Sequence, residues 1–163
     1  MRTGVESSHP LHIVLVEPEI PPNTGNIGRL CVGAGVKLHL IEPLGFSLDE
    51  TRLRRAGLDY WQHLDLKIWP SFAVYLEAAA EHGWRLLALS SKVRTSFLTA
   101  KFQAGDHLLF GRETRGLPES FLESGLALTF RIPMRKEARS YNLGNAVAIV
   151  LSEALRQTQA WPE

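Results

Sequence analysis

The sequence has one cysteine, no long apolar run and almost no net charge. One cysteine cannot form an internal disulfide, and this composition is typical of a reducing cytoplasm. Cys31 lies between two apolar residues of a predicted helix, so we expect a buried small hydrophobe rather than a nucleophile. The lack of an apolar run of spanning length argues against a membrane protein. A formal charge of +1 gives no general sign of nucleic-acid binding, which would have to use local clusters.

The chain of 163 residues has the length of one compact domain, and 45% hydrophobic residues can supply its core. Residues 1–10 lack the apolar segment of a secretory signal and are predicted to form a polar leader. Residues 11–158 are predicted to form the domain, and residues 159–163 a short tail. Two basic clusters, residues 52–55 and 131–139, are candidates for nucleic-acid contact, although a solvated charged face explains either cluster alone.

Short apolar runs alternate with helical patterns along the chain. Continuous rather than alternating apolar residues indicate strands that are covered on both faces. The alternation of elements favours an α/β domain with a mainly parallel sheet flanked by helices. The predicted strands are residues 11–16, 37–42, 66–69, 85–90, 107–110 and 128–132. The predicted helices are residues 26–34, 48–56, 71–82, 118–123 and 142–158.

The last predicted helix has an apolar stripe at helical spacing, from Leu143 to Leu155. Ala148 and Ile149 lie off that stripe, which makes the first half of the helix apolar nearly all round. Such a helix needs a second partner surface, and another subunit is a natural candidate. Burial within the same chain is the competing explanation.

The segment NTGNIGR, residues 23–29, forms a glycine-rich turn after the first predicted strand. Gly25 and Gly28 do not have the G-x-G-x-x-G spacing, and no G-x-x-x-x-G-K-[ST] phosphate loop occurs. Dinucleotide and nucleoside-triphosphate binding are therefore disfavoured. Gly33 and Gly35 come later and are expected to end the helix.

Asn23 or Thr24 is predicted to cap this first helix, and Arg29 is predicted to emerge about one turn inside it. An arginine in that position suits a planar, bidentate contact with an anion such as a nucleic-acid phosphate. An ordinary capped helix with a surface arginine explains the same residues.

Two later segments repeat the pattern of a strand that runs into a polar, glycine-rich turn. They are LLFGRETRGLPESFL, residues 108–122, and FRIPMRKEARSYNLGNAVAIVLSEA, residues 130–154. Ligand crevices in α/β proteins form beyond the carboxyl ends of parallel strands. Three such turns in one small domain therefore indicate a binding site, although each turn alone could be structural.

Together, NTGNIGR, FGRETRGLP and IPM…RSYNLGNAVAI resemble the three signature motifs of the SPOUT RNA methyltransferases, over about residues 11–157. With EPEIPPNTGNIGRLC, IEPLGF and LRRAGLDYW, the chain most resembles the small branch that methylates the 2'-oxygen of the wobble nucleotide of tRNA, C or U at position 34. The resemblance implies a C-terminal deep trefoil knot, which is otherwise rare. It also implies S-adenosylmethionine as the methyl donor and a homodimer packed through the last helix.

The resemblance also implies roles for individual residues. The positions matched to cofactor contacts are Leu89, Gly111, Ile132, Ser140 and Leu143. The positions matched to substrate contacts are Asn23, Asn26, Arg29 and Glu113, with Glu113 expected to hold Arg29 or another basic group in register. Arg29 and Asn142 are the expected catalytic residues, acting on the ribose hydroxyl of an anticodon loop. The six histidines show no convincing metal-ligand spacing, so no metal is expected.

The chain departs from the family pattern at Tyr141, Gly144 and Ser152, where relatives often have methionine or leucine, serine and tyrosine. These departures leave the class intact but bear on the RNA target. Two alternatives stay open: 2'-O-methylation of ribosomal RNA, and a non-catalytic RNA-binding module of the same fold. Retention of Arg29, Glu113, Ser140 and Asn142 together argues against lost activity.

Overall fold

The structure, a computed structural model, describes residues 9–48 and 59–163. Within these ranges six parallel strands form one sheet in the order β3-β2-β1-β5-β4-β6. The strands are β1 Leu11–Val16, β2 Lys37–Ile41, β3 Leu66–Trp69, β4 Leu86–Leu89, β5 Asp106–Phe110 and β6 Leu128–Phe130. The α-helices are α1 Pro21–Ala34, α2 Phe72–His82, α3 Glu119–Glu123 and α4 Leu143–Thr158, and short 3-10 helices span Asp59–His63 and Phe97–Thr99.

The central strands β1 and β5 are buried along their whole length, as their continuous apolar sequences predict. Alternate side chains of β1 enter two separate cores. Leu11, Ile13 and Leu15 pack toward α1 and α4, whereas Val14 and Val16 pack toward α2 and α3. The predicted α/β architecture is therefore confirmed. The helix predicted over residues 48–56 falls almost wholly outside the described residues. No helix among those described is long and apolar enough to span a membrane.

Helix α1 begins at Pro21, five residues earlier than its predicted start. Pro21 and Pro22 have no N–H group to leave unpaired, so they suit the first helical turn. The prediction that Asn23 or Thr24 caps the helix is wrong, because both lie inside the first turn and the N-cap is Ile20. Gly35 ends the helix in the left-handed conformation, as expected.

Two further predictions concern residues of α1, Gly33 and Cys31, and only the one for Cys31 is confirmed. Gly33 lies within the helix rather than at its end, so its expected part in helix termination is wrong. Cys31 is fully buried, and that burial raises the pKa of its thiol. It is therefore a core residue, as predicted.

The chain that follows β6 is held against the connection between β4 and β5. The Arg131 N–H donates to the Thr95 carbonyl at 2.7 Å, and the Phe97 N–H donates to the Arg131 carbonyl at 2.8 Å. Helix α4 then packs back across α1, β1 and β5. Its Gln157 side chain binds the backbone of Ala100 and Phe102 in the same connection. This is the region in which the resemblance places the knot.

Three histidines from neighbouring strands form a buried cluster that the sequence spacing did not predict. The nitrogen atoms that His12, His39 and His107 offer lie within 4.8 Å of one another. The Trp69 Nε1–H donates to His39 Nδ1 at 3.0 Å, so in the neutral ring the proton lies on Nε2, which donates to His12 Nδ1 at 2.9 Å. The Tyr75 hydroxyl bonds to His107 Nδ1 at 2.8 Å.

The ring geometry identifies this group as a hydrogen-bonded cluster. His12 and His107 stack with centroids 4.2 Å apart and planes 9° apart, so their in-plane lone pairs do not converge on one point. Burial, followed by the charges of nearby basic groups, lowers the pKa of His12 to about 4 and that of His107 to about 2. Both rings are therefore neutral near pH 7.

Candidate active site

The carboxyl ends of β1, β4, β5 and β6 meet at one edge of the sheet, and the loops that follow them enclose a cavity of about 490 Å³. Each of the three dense motifs contributes to the cavity. The lining residues are Ile20, Asn23, Leu89, Ser90, Ser91, Lys92, Phe110, Gly111, Arg112, Glu113, Thr114, Arg115, Gly116, Ile132, Met134, Arg139, Ser140, Tyr141, Asn142, Leu143 and Ala146. The expected crevice at the strand ends is thus present.

The five positions matched to cofactor contacts all line this cavity. Leu89, Ile132 and Leu143 supply apolar walls, and Ser140 supplies an exposed hydroxyl. These positions come from four different segments of the chain, so their convergence is a property of the fold. Mixed apolar walls with a few polar groups are typical of small-molecule sites.

Gly111 determines how closely the loops can approach one another. A Cβ atom at this position would lie 2.1 Å from the carbonyl carbon of Gly116 and 2.2 Å from the Leu117 nitrogen. The loop 111–116 therefore closes on itself through a contact that only glycine permits. Gly116 has a φ of +69°, the left-handed region that favours glycine.

Glu113 holds the start of α1. Its carboxylate accepts hydrogen bonds from the backbone N–H groups of Glu19 at 2.8 Å and Ile20 at 2.9 Å, and from Asn23 Nδ2 at 3.2 Å. A carboxylate in this position also interacts favourably with the helix dipole. The expectation that Glu113 holds Arg29 in register is wrong, because its oxygens bind these groups instead.

Asn23 connects this contact to the third motif. Asn142 Nδ2 donates to Asn23 Oδ1 at 3.0 Å, and Asn23 in turn donates to Glu113. Asn142 is also the N-cap of α4, since its Oδ1 accepts from the Asn145 N–H at 3.2 Å. Asn142 therefore uses both ends of its amide to position structure. One hydrogen-bond chain joins residues of all three motifs.

A second set of hydrogen bonds joins the same two turns, with the acceptors now on the turn after β1 and the donors on the turn after β5. Glu19 Oε1 accepts from the Thr114 N–H at 3.1 Å and from the Thr114 hydroxyl at 2.7 Å. The hydrogen bonds from Thr114 lower the pKa of Glu19. Arg112 donates to Glu17, which has a φ of +55° at the end of β1. The turn after β1 and the turn after β5 are therefore fixed to each other at several points.

Arg29 and Asn26 lie on an exposed face of α1 and do not line the cavity. Arg29 forms no ion pair with any residue that the structure describes, and its charge acts on Tyr60. Burial raises the pKa of Tyr60, and the nearby Arg29 charge opposes that shift. Residues of the first motif therefore lie in two different places: Asn23 lines the cavity, and Arg29 lies on an outer surface.

The glycines of the first motif serve a packing contact that sequence reasoning missed. The Tyr60 hydroxyl donates to the Gly25 carbonyl at 2.5 Å. A Cβ atom at Gly28 would lie 2.8 Å from the Trp61 ring. The 3-10 helix Asp59–His63 therefore packs onto α1 where the glycines leave room. The aromatic pair in LDYW was the available signal.

Other residues at the cavity were also missed. Met134, Arg139 and Tyr141 line it from the third motif, and Thr114 lines it from the second. Acidic residues within glycine-rich turns were the signal for these hydrogen bonds between loops, because turn amides need acceptors. The basic cluster 52–55 lies outside the described residues, whereas the cluster 131–139 lies along the cavity loop.

Comparison with known proteins identifies the class. Residues 10–152 match the SpoU rRNA Methylase family. The chain belongs to this methyltransferase family, so the resemblance to the SPOUT enzymes is confirmed. Solved SPOUT structures share the six-stranded fold described above, and the knotted α/β fold that the resemblance implied is confirmed with it.

Individual relatives narrow the comparison. A tRNA (cytidine(34)-2'-O)-methyltransferase from Aeromonas hydrophila is 53% identical over 148 residues, 90% of this chain and 94% of the relative. A solved structure concerned with the "2-OH methylation of C/U34 on tRNA" superposes with a TM-score of 0.85 at 49% identity, and the match covers 93% of this chain and 97% of that one. The AdoMet-bound rRNA methyltransferase from Sinorhizobium meliloti superposes with a TM-score of 0.80 at 25% identity over 91% of this chain and 58% of that one.

Proposed function

We propose that this protein is an S-adenosylmethionine-dependent methyltransferase that modifies the ribose 2'-oxygen of nucleotide 34, C or U, in the anticodon loop of tRNA. The observation that carries the proposal is the convergence of three strand-end motifs on one cavity. The level of identity to the Aeromonas hydrophila relative supports the tRNA target.

The cavity fits the methyl donor in size and in lining. A volume of about 490 Å³ falls within the range of small-molecule sites. Leu89, Ile132 and Leu143 would contact apolar parts of the donor, and Ser140 together with backbone groups at Gly111 would bind its polar edges. The donor carries a methyl group that its sulfonium already activates, so the protein has mainly to align the two reactants.

Asn142 and Arg29 are the residues that we assign to the reacting groups. Asn142 lines the cavity beside Ser140, and its contact with Asn23 fixes its amide. Arginine side chains keep their proton in proteins. We therefore assign Arg29 to positioning the RNA and stabilising negative charge rather than to accepting the ribose proton. Its exposed place on α1, outside the cavity, suits contact with a large substrate.

We further propose that the protein acts as a homodimer through α4, in the cytoplasm where tRNA is available. Ala148 and Ile149 remain only partly buried in the single chain, although both lie in an apolar helix. A second α4 would cover them. The alternative ribosomal RNA target is less well supported, because the rRNA methyltransferase compared above is 25% identical to this chain.

The test is to incubate the purified protein with labelled S-adenosylmethionine and tRNA, and then to map 2'-O-methyl groups by mass spectrometry. We expect methylation at nucleotide 34 and none on an anticodon stem-loop with a 2'-deoxyribose there. Methylation confined to ribosomal RNA, or transfer to no RNA at all, would reject the proposal.

A matched glycine pair tests the assigned cavity. Gly111→Ala should abolish binding of S-adenosylhomocysteine in calorimetry, because no room exists for its Cβ atom. Gly33→Ala should bind normally, because a Cβ atom there meets nothing within 4 Å. Ser140→Ala controls for misfolding, because Ser140 is exposed and its truncation should not disturb the fold. This variant should weaken S-adenosylhomocysteine binding about fivefold through one lost hydrogen bond. Unchanged affinity in both site variants would reject the assignment.

A further inference from the structure

We infer that the ring of Tyr141 is a stacking platform for a nucleobase of the RNA substrate, at the mouth of the cavity. The inference rests on the proposed function and adds a substrate-contacting residue to it. It comes from the exposure of the ring, from the contact of its hydroxyl, and from the charges that surround it.

Tyr141 places a partly exposed aromatic ring at the cavity. The side chain lines the cavity and is 38% exposed. Its hydroxyl is already engaged, because it donates to the Pro133 carbonyl at 3.1 Å. That hydrogen bond orients the ring, and the ring carbons are the part of the side chain that it leaves for a ligand.

The loop that carries the ring is strongly basic. Arg131, Arg135, Lys136 and Arg139 lie on it with one acid, Glu137. Arg135 and Glu137 form an exposed ion pair at 3.6 Å, which is worth little. Lys136 and Arg139 form no ion pair with any described residue. An aromatic face among unpaired cations is the combination that binds single-stranded nucleic acid.

The position of the ring suits the nucleotide that reacts. Tyr141 lies between Ser140 and Asn142, which we assign to the methyl donor and to the reacting hydroxyl. A base stacked on the ring would keep its ribose beside the cavity. A nucleotide of an anticodon loop loses stacking when it enters an active site, and an aromatic face compensates for that loss. Stacking does not distinguish C from U, which agrees with a C/U target.

Two other roles for Tyr141 predict different measurements. If the ring stacks on the methyl donor instead, its removal will raise the KM for S-adenosylmethionine. If the hydroxyl only holds the loop at Pro133, removal of the hydroxyl alone will change the kinetics as much as removal of the whole ring. The variants Tyr141→Ala, Tyr141→Phe and Tyr141→Leu separate these possibilities, because they remove the ring, the hydroxyl and the aromaticity in turn.

The experiment measures both KM values with S-adenosylmethionine and an anticodon stem-loop. We expect Tyr141→Ala and Tyr141→Leu to raise the KM for RNA about 5- to 150-fold, the range for loss of one base–aromatic contact. Tyr141→Phe should recover most of the RNA affinity. The KM for S-adenosylmethionine should change by less than about twofold, since the inferred contact is with RNA. Trp161→Ala, which changes an exposed aromatic residue beyond the C-terminal end of α4, is the matched control and should behave as wild type.

A direct readout uses a stem-loop with 2-aminopurine at position 34, bound together with S-adenosylhomocysteine. Stacking on Tyr141 should quench the fluorescence in wild type and in Tyr141→Phe, but not in Tyr141→Leu. The inference is overturned if wild type methylates position 34 and Tyr141→Leu leaves the KM for RNA unchanged, or if the KM for S-adenosylmethionine rises instead. Failure of wild type to methylate any RNA would reject the proposed function, which is a separate result.

Discussion

Mild acid should unfold this protein through its buried histidines, before carboxylates titrate. Burial, followed by nearby positive charges, lowers the pKa of His12 from 6.5 to about 4 and those of His39 and His107 from 6.5 to about 2. Because the folded state disfavours the protonated ring, the unfolded chain binds protons first as the pH falls. Each neutral ring makes its full contribution to the free energy of unfolding above pH 6.5. That contribution falls with the pH until the folded-state pKa is reached, at about pH 4 for His12 and about pH 2 for the other two rings.

The charges around the cluster agree with this direction. Among the residues that the structure describes, the neighbouring rings themselves disfavour one another's protonation, and so do His9, Lys37 and Lys67. The Asp65 carboxylate favours protonation of His12. Burial raises the pKa of Asp106, although Arg85 opposes the shift, so that acid favours the folded state at low pH. Its effect is opposite in sign to that of the histidines and reduces the slope of stability against pH where that carboxyl titrates.

The size of the effect follows from proton linkage. Three protons bound only by the unfolded chain raise the unfolding constant up to about a thousandfold per pH unit, or about 4 kcal/mol. Between pH 6.5 and pH 5 the three rings together remove about 5 kcal/mol, since their protonation in the unfolded chain is incomplete at the upper pH. That loss is comparable with the whole stability of a small domain.

The assay is urea unfolding from pH 7.5 to 5, followed by tryptophan fluorescence at fixed protein concentration. The slope against pH counts the protons, and we expect it to approach three. His107→Phe made in a Tyr75→Phe background should reduce the slope to about two without leaving the Tyr75 hydroxyl unpaired. Tyr75→Phe alone should keep the wild-type slope. A wild-type slope below about one proton would refute the reasoning.

Three further predictions concern the site and the assembly. Glu113→Gln should destabilise the fold by about 1–3 kcal/mol in urea, because its amide nitrogen would face the backbone N–H group of Glu19 or Ile20. A loss of stability below that of an exposed control such as Glu77→Gln would contradict the geometry. Arg29→Ala should lower kcat about a hundredfold while calorimetry shows unchanged S-adenosylhomocysteine affinity, and a rate restored at high pH by Arg29→Lys would instead favour proton abstraction. Ile149→Lys should weaken dimerisation in sedimentation, and a wild type that is monomeric at micromolar concentration would exclude the α4 interface.

The sheet could be predicted from sequence because its signal is local. Each strand is a short apolar run bounded by polar turns, and all six observed strands overlap their predicted ranges. The start of α1 could not be predicted as well, because Pro21 and Pro22 look like breakers until their place in the first turn is known. The knot came only from the family resemblance, since no periodicity encodes the order in which a chain passes through a loop.

The cavity was predictable at the level of which turns meet, because parallel strands present their carboxyl ends at one edge. The hydrogen-bond partners within the cavity were not predictable. Glu113 reaches Glu19 and Asn142 reaches Asn23 across large separations in sequence, and these contacts depend on strand order rather than on spacing. The histidine cluster has the same origin, since β2, β1 and β5 are neighbours only in the folded sheet.

The two ends of the first motif are held by independent contacts, and this arrangement bears on how Arg29 could act from outside the cavity. The Glu113 carboxylate fixes the start of α1 by accepting hydrogen bonds from the backbone N–H groups of Glu19 and Ile20. Tyr60 and Trp61 fix the middle of the helix at Gly25 and Gly28. With both points held, the exposed face of α1 has a set orientation relative to the methyl-donor cavity. An arginine on a fixed helix can then orient an RNA substrate that enters from solvent, without itself lining the donor site.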